Sequence, residues 1–73
     1  MNDFLQKIAA ILEVESVNES DSLKAFPQWD SLAVLSVIAM LDADYGVNLR
    51  AADFDPIDSA GDLWNLAQAR KRA

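Results

Sequence analysis

Ser31 stands at a joint, in the stretch Phe26-Pro27-Gln28-Trp29-Asp30-Ser31-Leu32, where a loop becomes a helix. A serine acts as a nucleophile when a neighbouring base takes its proton, yet the chain has no histidine and no cysteine. Ser31 therefore has neither the base of a Ser-His pair nor a thiolate to replace it. Lys24 is close in sequence, but a Ser-Lys dyad needs a desolvated lysine in a cleft, which so small a chain rarely builds. Asp42 and Asp44 are two apart on a helix and do not face each other. Followed by Asp53 they outline a calcium loop only faintly, because Gly46 falls one place early and the terminal bidentate Glu is missing. No catalytic residues and no metal ligands are expected, and the chain is not read as an enzyme. What Asp30 and Ser31 can do unaided is start a helix, since their side-chain oxygens satisfy orphan backbone N–H groups. Pro27 fits this position: its missing N–H costs no helix bond, and it pushes the residue before it into an extended form.

A chain of 73 residues, 52% of them hydrophobic, is read as one domain over 1–73, near the lower limit at which an apolar core stabilises a fold unaided. Without cysteine, no disulfide and no thiolate metal site can supply the deficit. The longest apolar stretch, Leu32 to Leu41, is interrupted by Ser36 and is too short to cross a bilayer. Asp3 precedes any apolar run and no basic segment opens the chain, so no secretory signal is expected and the cytoplasm is the default. The net charge is −6, and residues 1–69 hold twelve acids against Lys7, Lys24 and Arg50, or −9. Such a surface makes nucleic acid a poor partner and basic protein surfaces a better one. The same acids keep a small hydrophobic monomer soluble.

Three helical segments must position the joint. Phe4, Leu5, Ile8, Ile11 and Leu12 recur at three- and four-residue spacing and predict a helix over about 3–14, capped by Asn2 or Asp3. From Val17 to Gln28 there is no helical period, and Val17, Leu23 and Phe26 are expected to dip into the core and anchor a long loop. The second helix runs from Ser31 to about Tyr45 and stops at Gly46. Its core face is predicted from Val34, Val37, Ile38, Leu41 and Tyr45, while Leu32, Leu35 and Ala39 form a second apolar stripe rotated well away. Val47 and Leu49 dock a short link, and Ala51 to Asp55 forms a single helical turn ended by Pro56. Asp58 or Ser59 caps a last helix through about Arg70, with Leu63, Trp64, Leu66 and Ala67 inward. Arg70, Lys71 and Arg72 complement its dipole. The expected fold is all-α: a four-helix bundle with three main helices, a short third helix, and a long loop between the first two.

Asp30-Ser31-Leu32 at the start of an apolar helix, preceded by Ser22-Leu23 and followed by Leu41-Asp42-Ala43-Asp44-Tyr45-Gly46-Val47-Asn48-Leu49, resembles an acyl carrier protein. The resemblance covers the chain from the first helix to Leu66. It implies that Ser31, flanked by Asp30 and Leu32, carries a 4′-phosphopantetheine arm from coenzyme A whose thiol holds acyl or aminoacyl groups as thioesters. The implied partners are a phosphopantetheinyl transferase, a loading ligase, and acyl-transferring enzymes of lipid or secondary-metabolite biosynthesis. Leu32, Leu35, Ser36, Ala39, Asp42 and Ala43 on the second helix are the implied partner-binding residues. A phosphodiester at a helix N-terminus meets free N–H groups and the positive dipole end.

The small or glycine residue familiar before Asp-Ser-Leu in that family is here replaced by Gln28-Trp29. A Trp at this position is similar to a subset of stand-alone carriers outside housekeeping fatty-acid synthesis; structurally, Trp29 is read as cover for the loop–helix corner. Positions often acidic in fatty-acid carriers are Ala33, Ser36 and Ala43, read as small or apolar surface. The opening Met and the lack of a linker lead to the expectation of a stand-alone carrier rather than a domain of a multienzyme. The alternative reading is a helical interaction module with no prosthetic group, docking through Leu32, Leu35 and Ala39.

Overall fold

A computed structural model describes residues 2–71. The described chain is all-α, with helices α1 (Asn2–Leu12), α2 (Ser31–Tyr45) and α3 (Ala60–Arg70) and two 3-10 turns, Leu23–Ala25 and Ala51–Phe54. Among the described residues no strand forms; two isolated antiparallel bridges, Ser22 with Ser59 and Val47 with Lys71, tie loops to the last helix. The first of the two turns lies within the loop that has no helical period. The second is the expected helical turn before Pro56, reduced to four residues.

Helix α1 ends two residues earlier than its apolar pattern predicts. Glu13 adopts φ 59°, a left-handed conformation that costs an L-residue with a side chain about 1–2 kcal/mol, and Val14 N–H bonds back to Ala9 O at 3.0 Å. Asn2 and Asp3 both lie inside the helix instead of capping it, and Asp3 still meets the positive dipole end in the first turn. Phe4, Ile8 and Leu12 are fully buried, joined by Ala9; Leu5 and Ile11 are partly covered.

Helix α2 has the limits its sequence predicts. Asp30 is the N-cap, accepting from the Ala33 N–H at 2.9 Å, and Gly46 ends the helix at φ 66°. The buried line is Ala33, Val37 and Leu41, four residues apart, with Val34, Ile38 and Tyr45 partly covered on one side of it. In α3, Ser59 and Asp62 form a reciprocal cap: the Asp62 N–H donates to Ser59 Oγ at 3.1 Å and the Ser59 N–H to Asp62 Oδ2 at 3.2 Å. Leu63 and Ala67 are buried, and Trp64 and Leu66 partly so. Phe4, Tyr45 and Trp64 join the three helices as an aromatic cluster, with centroids 5.0–6.1 Å apart. Beside it Lys7 pairs with Asp44 at 3.2 Å, and that carboxylate holds Lys7 above its ordinary range. Arg72 lies outside the described residues; Arg70 reaches Asp53 at 3.3 Å.

The loop between α1 and α2 is fastened to the start of α3. Val17 and Leu23 are buried, as expected, and Phe26 partly. The Ala60 N–H donates to Asp21 O at 3.1 Å and the Gly61 N–H to Glu19 O at 2.8 Å; in return the Leu23 N–H and Ser22 Oγ donate to Asp58, each at 2.7 Å. Together with Ser59 Oγ, the loop satisfies the N–H groups that a helix start leaves without partners. The approach is so close that a Cβ on Gly61 would lie 2.8 Å from Glu19 Cγ and 3.1 Å from Glu19 O. Gly61→Val is expected to lower stability by about 1–3 kcal/mol through overpacking, which outweighs the roughly few tenths of a kcal/mol gained in helix propensity. Urea denaturation checks this, and an unchanged midpoint would show that the loop does not press on α3.

Candidate functional site

Ser31 is the first residue of α2, one place past the cap, and its side chain is exposed. Asp30 spends one carboxylate oxygen on the Ala33 N–H, while its backbone oxygen accepts from Val34 at 3.0 Å; this fixes the first turn and therefore the direction of Ser31. Behind the serine opens a groove of about 360 Å³. Its apolar walls are Trp29, Val34, Leu35, Ala51 and Phe54, and Lys24, Ser31 and Asp55 supply the polar groups. Trp29 and Phe54 meet across it with ring centroids 6.1 Å apart, so Trp29 does cover the loop–helix corner, by packing on the turn that follows α2.

That turn is held by Asp53. Its Oδ2 accepts the Arg50 backbone N–H at 2.9 Å, and its Oδ1 lies 3.3 Å from Arg70 at the end of α3. The Arg50 N–H first, and the Arg70 guanidinium after it, keep the Asp53 carboxyl below its ordinary range, against the opposing effect of partial desolvation. Lys24 ties the other side, its Nζ donating to Asp55 O at 2.7 Å.

The residues singled out on α2 for partner contact, Leu32, Leu35, Ser36, Ala39, Asp42 and Ala43, are all exposed. Leu32 at 72% and Leu35 at 56% are the large apolar side chains left in water, so the second stripe is unburied among the described residues. Ala33 requires a correction. Expected as surface beside Ser36 and Ala43, it is buried at 6%, because the core line of α2 starts there and runs through Val37 and Leu41. Asp42, Asp44 and Asp53 do not assemble: no group of three metal-ligating side chains gathers among the described residues. Val34, Ala51, Phe54, Asp55 and Lys24 were not singled out as site residues from sequence. A lone Phe in a polar stretch before Pro56 was a usable signal for Phe54; a lysine bonded to a backbone carbonyl leaves none.

Compared with family models, curated proteins and solved structures, the chain matches none of them. No helix among the described residues is long and apolar enough to cross a membrane.

The depressed Asp53 carboxyl carries a pH signature. A carboxylate whose folded pKa lies below its unfolded value, near about 4, contributes stability that is fully present above that value and is lost as pH falls through the lower, folded one. Melting temperature is therefore expected to drop below about pH 4 in part through Asp53, and Asp53→Asn should lack that part of the acid dependence. Identical acid profiles for the two proteins would exclude Asp53 as the clasp of this turn.

Proposed function

We propose that the chain is a carrier protein, acyl or aminoacyl, bearing 4′-phosphopantetheine on Ser31 and presenting thioesters to partner enzymes. The observation that carries this reading is the setting of Ser31: an exposed hydroxyl on a capped, rigid helix start, at the mouth of an apolar groove, in a chain with no histidine or cysteine to activate it. The site fits the group. Ser31 is open to a modifying enzyme, and the walls from Trp29, Val34 and Leu35 offer apolar contact to a flexible arm or its cargo. When bound, the arm supplies the thiol that the sequence lacks. The rest falls to the protein's own residues: Asp30 fixes the serine, and the turn at Ala51–Phe54, in the place of a short third helix of a four-helix carrier bundle, walls the groove. Leu32, Leu35 and Ala39 lie beside the attachment point, where the transferase, a loading ligase and acyl-transferring enzymes would dock. On this reading the partner enzymes, cytoplasmic like the carrier, supply the chemistry.

The exposure of Leu32 and Leu35 also favours a second reading, an interaction module with no prosthetic group that docks through this stripe. Intact mass after incubation with coenzyme A and a broad-specificity phosphopantetheinyl transferase separates the two. Wild type is expected to gain one phosphopantetheine and Ser31→Ala none; a folded wild type left unmodified by an active transferase would leave only the interaction module.

Helix α2 carries Asp42 and Asp44 but small residues at Ser36 and Ala43, so housekeeping fatty-acid elongation enzymes with basic docking faces are expected to use this carrier poorly. Ala33 is buried and gives no site for an added acid. The exposed pair Ser36→Glu/Ala43→Glu adds two possible ion pairs of about 0.2–1 kcal/mol each, a gain in turnover efficiency of roughly 2- to 30-fold that shrinks with salt. Equal turnover of both proteins across an ionic-strength series would refute the charge argument while leaving Ser31 untouched.

A further inference from the structure

The groove beside Ser31 has a single basic side chain in its wall, Lys24. Its Nζ is fixed at 2.7 Å from Asp55 O, which links the 3-10 turn before α2 to the one after it. An ammonium has three N–H donors, so two remain for another acceptor. Lys7 and Arg70 each pair with an aspartate, at 3.2 and 3.3 Å; Lys24 has no such carboxylate partner among the described residues and bonds a neutral carbonyl instead. In a chain of net charge −6, a held cation with no carboxylate in ion-pair contact, set in a groove walled mainly by apolar side chains, is a site for an anionic group.

The anion that chemistry would bring there is one joined to Ser31, in the same wall. Asp30 beside the serine and Asp55 in the groove both repel a phosphodiester, and Lys24 is the groove's one opposing charge. Resting on the carrier reading of Ser31, we infer that Lys24 is a positioning residue for the arm. It pairs with the phosphodiester and so lays the arm along Trp29, Val34 and Leu35 instead of out into water. Lys24 thereby sets how much of the time the thiol is presented and how much it is sheltered, without touching the reacting atoms.

The chain has no cysteine, so the arm's thiol is the only one in the loaded protein, and its alkylation reports how free the arm is. Loaded wild type, Lys24→Met and Lys24→Arg are compared by phosphorus NMR of the phosphodiester and by the rate of alkylation with N-ethylmaleimide, with circular dichroism of each unloaded protein confirming the fold. Lys24→Met is expected to shift the phosphorus resonance and to speed alkylation roughly 1.5- to 5-fold, the range of one exposed ion pair. Lys24→Arg, which keeps the charge, stays near wild type, and the difference shrinks at about 1 M salt. An unchanged resonance together with equal alkylation rates in loaded Lys24→Met overturns the role of Lys24 alone. A wild type that takes up no phosphopantetheine overturns it together with the carrier reading.

Discussion

The backbone bonds between the α1–α2 loop and the start of α3 are the constraint on which the rest of this small protein depends. A loop over residues 13–30 is expensive to order, at about 1–2 kcal/mol per residue of backbone entropy, and it has no helix of its own beyond three residues. It is held by two means that reinforce each other. Val17 and Leu23 are buried in the core, and Glu19, Asp21, Ser22 and Leu23 exchange bonds with Asp58, Ala60 and Gly61. Each bond contributes about 0.5–1.5 kcal/mol net, and losing the Ala60 or Gly61 bond also strands a helix-start N–H. The loop and α3 therefore stand or fall together. The consequence reaches the site: with Leu23 fixed, the turn through Ala25 is fixed, then Phe26 and Trp29, and then the cap at Asp30 that aims Ser31.

What the sequence made legible was whatever local chemistry decides. Asp30 at one end of α2 and Gly46 at the other are strong punctuation, and no tertiary contact competes with them. Ser59 and the turn before Pro56 follow from equally local rules. The failures came where distant parts of the chain overrule the pattern. Apolar spacing carries α1 to position 14, but the chain must turn at Glu13 to let Val17 enter the core, and it accepts a left-handed residue to do so. The hydrophobic wheel of α2 is apolar over so much of its circumference that its centre is poorly defined. The large side chains at Val34 and Ile38 drew the predicted core face toward themselves, whereas close packing took the small Ala33 inward. Nothing local in the sequence marks Gly61, and it is the loop pressed against it that leaves little room for a side chain there. The groove wall was illegible for the same reason: Phe54, Asp55 and Lys24 meet Trp29 and Ser31 through tertiary packing, from three separate stretches of chain.

Helix α2 divides its surface between two tasks, and the division explains why the site lies where it does. One line, Ala33, Val37 and Leu41, is committed to the core. Almost opposite, Leu32 and Leu35 stay mostly in water, although burying a Leu side chain contributes about 1.5–3 kcal/mol. In a domain near the size limit for an autonomous core, leaving two such residues outside forfeits stability comparable to a sizeable part of the usual margin. Leu35 shows where that surface leads, because it is at once an exposed residue and a wall of the groove. The apolar stripe and the groove are therefore one continuous surface with Ser31 at its edge. A body seated on the stripe would touch the mouth of the groove, and anything lying in the groove would be within reach of that body. On the carrier reading this continuity couples docking to presentation: a partner that covers Leu32 and Leu35 competes with the arm for contact at Leu35, so that binding itself favours release of the arm from its wall. The cap at Asp30 holds Ser31 in place in either case.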